Sequence, residues 1–379
     1  MDLLMVGSTA PSHVYPSLAV IRELVSRGHR VRYAVGDRLA ELVTPTGAEH
    51  VGYPGLLPDA DTAWPEDAGE AMQLFLDEQR AVLPVLTSVE APDAVLYDIG
   101  GYAGRVAAHR WGVPAVQLSP TFVAWEGYEE EMAQFTAQLK ASAAGARFFA
   151  QMRAWLDAHG MSIDADAFLG RPDACVVLIP RVLQPNAERV GPQYVFTGPC
   201  VDESRATGWA PAPGDPRPLV YVAFGTAYTD NLAIYRTCID ALAAEYRLVI
   251  ATGKVDPADL GPRPASTNAA RTQPQLDVLA HADVFVTHAG MGSAGESLWF
   301  GVPTVAIPQA VDQFTNAERL QAAGAGVHLP AEQVSAGSLR AAVGEALENG
   351  PRARELRGEV RRAGGAAASA DAIERTVRG

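Results

Sequence analysis

Short apolar runs alternate with amphipathic stretches from the first residues of the chain. Leu3 to Val6 and Val31 to Val35 read as buried strands, and between them Pro16 to Ser26 repeats its apolar residues at helical spacing. The pattern continues with a strand at Ala94 to Tyr97, a helix through Tyr102 to Trp111 and a strand at Ala115 to Leu118. A mixed helical region runs from about Glu126 to His159, followed by apolar runs at Cys175 to Ile179 and Tyr194 to Thr197. Continuous apolar strands spaced by helices predict a parallel sheet covered on both faces.

The alternation stops at Asp202 to Pro218, whose proline, glycine and polar content suits a linker. It resumes with a strand at Leu219 to Phe224, a helix at Leu232 to Glu245 and strands at Arg247 to Ala251 and Val284 to Thr287. A helix at Gly292 to Phe300 and a strand at Thr304 to Ile307 follow. The expectation is an α/β protein of two Rossmann-like, doubly wound parallel-sheet domains, 1–201 and 219–379, joined by the linker 202–218.

Composition narrows the partners. A net charge of -14 offers no basic footprint for nucleic acid. Cys175, Cys200 and Cys238 form no metal or redox motif, and the histidines show no ligand spacing, so no metal site is expected. No apolar run reaches the length of a membrane span and no leader pattern precedes Leu3, so we expect a cytoplasmic protein.

The turn Thr287-His288-Ala289-Gly290-Met291-Gly292-Ser293 joins a buried strand to a helix, where ligands of open parallel sheets bind. Gly290 to Gly295 fits the dinucleotide fingerprint G-x-G-x-x-G, yet Asp312 lies well past the next strand, where that fold needs its acidic residue at the strand's end. A nucleophile elbow fails because Met291 stands where glycine is needed. Two readings stay open: glycines that let a helix pack closely on a strand, or a diphosphate cradle. In the second, a helix opening at Gly292 presents free N–H groups, His288 and Ser293 add donors, Glu296 accepts from ribose hydroxyls, and Asp312 with Gln313 serves a sugar. Phe224-Gly225-Thr226 ends another strand with a small, hydroxyl-bearing turn. Of the eight histidines, His13 is the one in the loop after the first strand, ahead of the helix expected from Pro16. It is a candidate general base, and Asp98 closes the strand that begins at Ala94.

These segments resemble the donor signature of the family 1 glycosyltransferases: Thr287 to Ser293, Glu296, Gly301-Val302-Pro303, and Val311-Asp312-Gln313-Phe314-x-Asn316-Ala317-Glu318. Within that family the chain is most similar to the macrolide, oleandomycin-type glycosyltransferases of actinobacteria. The likeness extends through Trp64-Pro65-Glu66-Asp67, Phe75-Leu76-Asp77-Glu78, Val113 to Pro120 and Ala124 to Glu130. It implies the GT-B fold with two domains facing a central cleft and a last helix packing back on the first domain. It also implies inverting transfer from a UDP- or TDP-sugar with no metal or other cofactor.

The resemblance makes His13, in His13-Val14-Tyr15-Pro16, the base and Asp98 its partner. It assigns the donor to Gly225, Thr226, Thr272, Gln275, His288, Gly290, Gly292, Ser293, Glu296, Asp312 and Gln313. A hydrophobic acceptor is expected against Phe75, Phe122, Trp125 and Phe135. Asp312 beside Gln313 favours UDP-glucose, because both can pair with hydroxyls that deoxysugars partly lack. The chain departs from the pattern twice: Pro11 and Tyr15 flank His13 where close macrolide relatives carry other residues, and the family's Trp-x-Pro-Gln reads Thr272-Gln273-Pro274-Gln275, which removes the ring that stacks on the nucleobase. A TDP-deoxysugar transferase and a non-catalytic helper protein are the alternative readings.

Overall fold

The computed structural model describes residues 1–59, 64–225 and 230–379. The chain divides into two compact units. The first comprises Met1–Ile179, Asn186–Cys200 and Gly364–Gly379, and the second Pro180–Pro185 and Val201–Ala363.

In the first unit, strands β1 (Asp2–Val6), β2 (Arg30–Gly36), β3 (Glu49–Tyr53), β4 (Ala94–Asp98), β5 (Ala115–Ser119), β6 (Cys175–Val177) and β7 (Tyr194–Phe196) form one parallel sheet. Its order is β3-β2-β1-β4-β5-β6-β7, so the winding reverses between β1 and β4, where Val6 lies beside Tyr97. The apolar strands are buried on both faces, which is why they read as continuous runs. β3 escapes that reading: Glu-His-Val-Gly-Tyr at the sheet edge buries only Tyr53 fully. The helix Ala68–Leu86, also outside the sequence reading, covers one face with Leu76, Val82, Leu83 and Leu86.

The second unit holds β8 (Leu219–Ala223), β9 (Arg247–Ala251), β10 (Thr267–Ala270), β11 (Val284–Thr287), β12 (Thr304–Ala306) and β13 (Gly326–His328). They form a parallel sheet in the order β10-β9-β8-β11-β12-β13, reversing between β8 and β11. The stretch 202–218 groups with this unit. The Asp277 carboxylate accepts from Thr207 N, Thr207 Oγ1 and Gly208 N at 2.7, 2.9 and 3.2 Å, tying a linker-like composition to the helix Gln275–His281.

The final helix, Gly365–Arg378, belongs to the first unit. Gly365 N donates to Thr197 O at 2.8 Å, Ser369 Oγ bonds Thr197 Oγ1 at 2.8 Å, and Arg27 pairs with Asp371 at 2.6 Å. Among the described residues no helix is long and apolar enough to cross a membrane.

Candidate active site

The first helix begins at Pro11, five residues ahead of the sequence expectation, and His13 lies in its first turn rather than in a loop. Pro11 is the residue at the first helical position, where its missing N–H costs nothing. Pro16 lies inside the helix, and reading it as the start put the boundary too late. The consequence is a more rigid mount for the imidazole.

His13 Nδ1 lies 2.8 Å from Asp98 Oδ1. The same oxygen accepts from Ser8 Oγ at 2.7 Å and from Gly100 N at 2.9 Å. Asp98 is 2% exposed and His13 23%, so the carboxylate is sequestered while the ring is reachable. With Nδ1 donating to Asp98, a neutral ring presents Nε2 as its acceptor nitrogen. Phe75 stands beside this ring, centroids 6.1 Å apart, and Trp64 packs on Phe75 at 5.8 Å.

Sequence reading passed over the group that braces this loop. Glu78 is fully buried; its Oε1 accepts from Thr9 N at 3.0 Å, and its Oε2 from Leu56 N and Leu57 N at 2.9 Å each. A buried carboxylate is tolerated only when satisfied in this way. The legible signal was a glutamate set within the apolar face of a helix.

The expected acceptor aromatics are dispersed. Phe122 lines a cavity of about 190 Å³ in the first unit, together with Ile99, Gln117, Ser119 and Tyr128. Trp125 packs edge-on against Tyr128 at 4.8 Å. Phe135 is 53% exposed on the helix Tyr128–Ala141, which buries no residue.

In the second unit the helix of the glycine-rich turn starts at Met291, one residue earlier than expected, with Gly290 as an N-cap that has no side-chain bond to give. The first turn bond is Ala294 N to Gly290 O at 2.9 Å. The N–H groups of Met291, Gly292 and Ser293 therefore have no partner among the described residues. A methyl group at Gly292 would meet nothing within 4 Å, so no packing demand explains this glycine.

His288 fills the space beside the turn. A methyl group at Gly225, which has φ 76°, would come within 2.7 Å of the His288 ring, and one at Gly290 closer still. These two glycines bring the ends of β8 and β11 against one imidazole. Burial pushes that imidazole down to about 4, so it is neutral near pH 7 and acts as a hydrogen-bonding group rather than a cation. Thr226 lies outside the described residues.

Glu296 is held by neighbours: Gln275 Nε2 donates to it, Tyr221 OH donates to Gln275 Oε1 at 3.2 Å, and Arg205 lies 3.8 Å away. Burial raises the Glu296 carboxyl above its ordinary range. Gln275, expected at the donor, orients Glu296 in this structure. Gln313 behaves similarly: it is buried, and its Oε1 accepts from Gln309 N at 2.8 Å and Ala310 N at 3.1 Å, which braces its own loop. Asp312 is exposed at the start of the helix Gln313–Ala322, and Thr272 is exposed after β10.

Over 98% of its length the chain is 41% identical to the oleandomycin glycosyltransferase of Streptomyces antibioticus, covering 90% of that protein. The chain belongs to the family 1 glycosyltransferases of the GT-B fold. Its residues 237–371 match the family described as Erythromycin biosynthesis protein CIII-like, C-terminal domain. The NDP-glycosyltransferase YjiC of Bacillus subtilis (strain 168) is 30% identical, with 98% of this chain and 96% of that protein covered. The solved glycotransferase of kitacinnamycin superposes with a TM-score of 0.92 at 40% identity, covering 99% of this chain and 98% of its own. Both units of this glycosyltransferase keep their candidate groups at the carboxyl ends of the strands where the winding reverses.

Proposed function

We propose that this glycosyltransferase moves glucose from UDP-glucose to a hydroxyl of an apolar natural product such as a macrolide or phenolic, with inversion. The observation that carries the reading is the contact of His13 Nδ1 with the sequestered Asp98, which aims the basic nitrogen of a reachable ring away from its partner. The acceptor oxygen attacks the anomeric carbon as the bond to the diphosphate breaks, and the hydroxyl proton passes to His13 Nε2. Asp98 steadies the imidazolium that results. The open N–H groups of Met291, Gly292 and Ser293, with His288, take up the charge of the departing diphosphate. Glu296, oriented by Gln275, accepts from the ribose hydroxyls.

Family membership and the macrolide named in the first relative support an apolar acceptor, with Phe75 beside the base and the Phe122 cavity as its seats. The exposed Thr272 favours a second reading of the donor, a TDP-deoxysugar, because without a stacking ring base identity rests on other contacts. The test incubates the protein with UDP-glucose or TDP-glucose and a panel of macrolides and phenols, with mass spectrometry and anomeric coupling constants as readouts. A β-glucoside formed from the α-linked UDP-glucose supports the proposal. Faster transfer from the TDP-sugar replaces the donor, an α-glucoside refutes inversion, and absence of any transfer points to a non-catalytic helper.

A further inference from the structure

The helix Gln313–Ala322 carries a fully buried amide, Asn316, that none of the contacts assigned above employs. Its Nδ2 donates to Ala289 O at 2.9 Å and to Asp312 Oδ2 at 2.9 Å. Both hydrogens of the amide are engaged, and the opposite orientation would set its oxygen against two acceptors. The two loops it joins are strained. Ala289 has φ 61° and Val311 φ 46°, and a β-branched residue there is a genuine outlier. Val311 is 74% exposed, so no burial of its side chain compensates.

Asp312 is the N-cap of this helix but makes no capping bond, although aspartate there ordinarily accepts from the helix N–H groups. Asn316 takes Oδ2 instead, and Oδ1 makes no hydrogen bond among the described residues. We propose that Asn316 is a positioning residue for the donor sugar. It locks the Asp312 carboxylate to the carbonyl of the turn that carries the phosphate donors, so Oδ1 meets the sugar hydroxyls in fixed register with the diphosphate. The inference rests on the nucleotide-sugar reading above and adds the device that sets sugar against phosphate.

The test compares wild type, Asn316→Asp, Asp312→Ala and the double variant for the KM of UDP-glucose and for the Kd of UDP by calorimetry, from about pH 5 to 8. Thermal unfolding monitors the fold. Asn316→Asp sets two carboxylates in contact, and such a pair holds a proton when one is supplied. At the alkaline end its KM should exceed wild type by about tenfold, the scale of one charge-assisted bond, and return toward wild type as the pH falls. UDP should bind within about twofold of wild type, and adding Asn316→Asp to Asp312→Ala should raise KM no further.

A loss that is independent of pH and equal for UDP and UDP-glucose overturns the proposal, as does an unchanged KM. If the aspartate variant does not fold, Asn316→Ser keeps one donor: raised KM with retained UDP affinity supports the clamp, and an unchanged KM overturns it. Wild type that binds neither UDP nor UDP-glucose overturns the nucleotide-sugar reading and the clamp with it. Wild-type transfer with a KM for UDP-glucose that Asn316→Asp matches at every pH overturns the clamp alone.

Discussion

The carboxyl ends of β1 and β4 and those of β8 and β11 occupy the same place in two sheets of the same winding, yet they leave opposite kinds of atom available. At β1 and β4, donors from Ser8, His13 and Gly100 converge on one oxygen of Asp98, which fixes a reachable imidazole to a sequestered carboxylate. At β8 and β11 the side chains are braced among themselves, and the backbone N–H groups at a helix start have no partner among the described residues. A shared topology supplies the position; the kind of group each sheet holds there, an imidazole–carboxylate pair in one and a helix start in the other, sets what chemistry it can offer.

This contrast breaks first at Asp98. Asp98→Asn should lower kcat about 10²- to 10⁴-fold, because the ring loses its tautomer and its counter-charge, while UDP affinity is kept. Parallel loss of UDP affinity would show that the two regions are not separate in function. Next comes His288, which takes up a proton at about 4 in the folded chain and at its ordinary 6.5 when unfolded. Its contribution to stability is complete above pH 6.5 and is lost as the pH falls toward 4, by at most about 3 kcal/mol. The stability difference between wild type and His288→Asn, followed by urea unfolding, should shrink across that window. A constant difference would remove His288 from the buried, neutral role.

Smaller effects concern the glycines. Gly225→Ala drives a methyl group into the His288 ring at a left-handed backbone position, which should destabilise by about 1–3 kcal/mol and weaken UDP binding. Gly292→Ala should do the reverse for stability, adding about 0.5–1 kcal/mol, because alanine suits a helix better and nothing obstructs it. UDP binding should still weaken, since the methyl group would occupy the space over the open N–H groups. Unchanged UDP binding would remove Gly292 from the anion site, and a loss of stability would return it to a packing role.

Much of this organisation was legible because buried parallel strands carry their signature in composition alone. Arg247–Ala251 and Val284–Thr287 match the sequence expectation at both ends. Edges failed where local signals compete: Pro16 resembled a helix start because it sits ahead of an amphipathic run, whereas Pro11 holds that position. β3 failed because an edge strand with Glu49 and His50 lacks the apolar run of a central one. Within the candidate sites, Asp98 and the turn from His288 stand out as residue types at strand ends, and His13 as the histidine that follows the first strand. The roles of Gln275, Gln313, Glu78 and Asn316 do not, because an amide or carboxylate in a sequence does not reveal whether its atoms face a ligand or brace a loop.

The most direct test of this division of labour measures UDP binding and glucosyl transfer together on His13→Ala. The variant should keep a UDP Kd equal to wild type within about twofold and transfer glucose about 10²- to 10⁴-fold more slowly. Transfer that survives unchanged, or UDP affinity lost along with it, would contradict the assignment of proton transfer to the first unit and anion binding to the second.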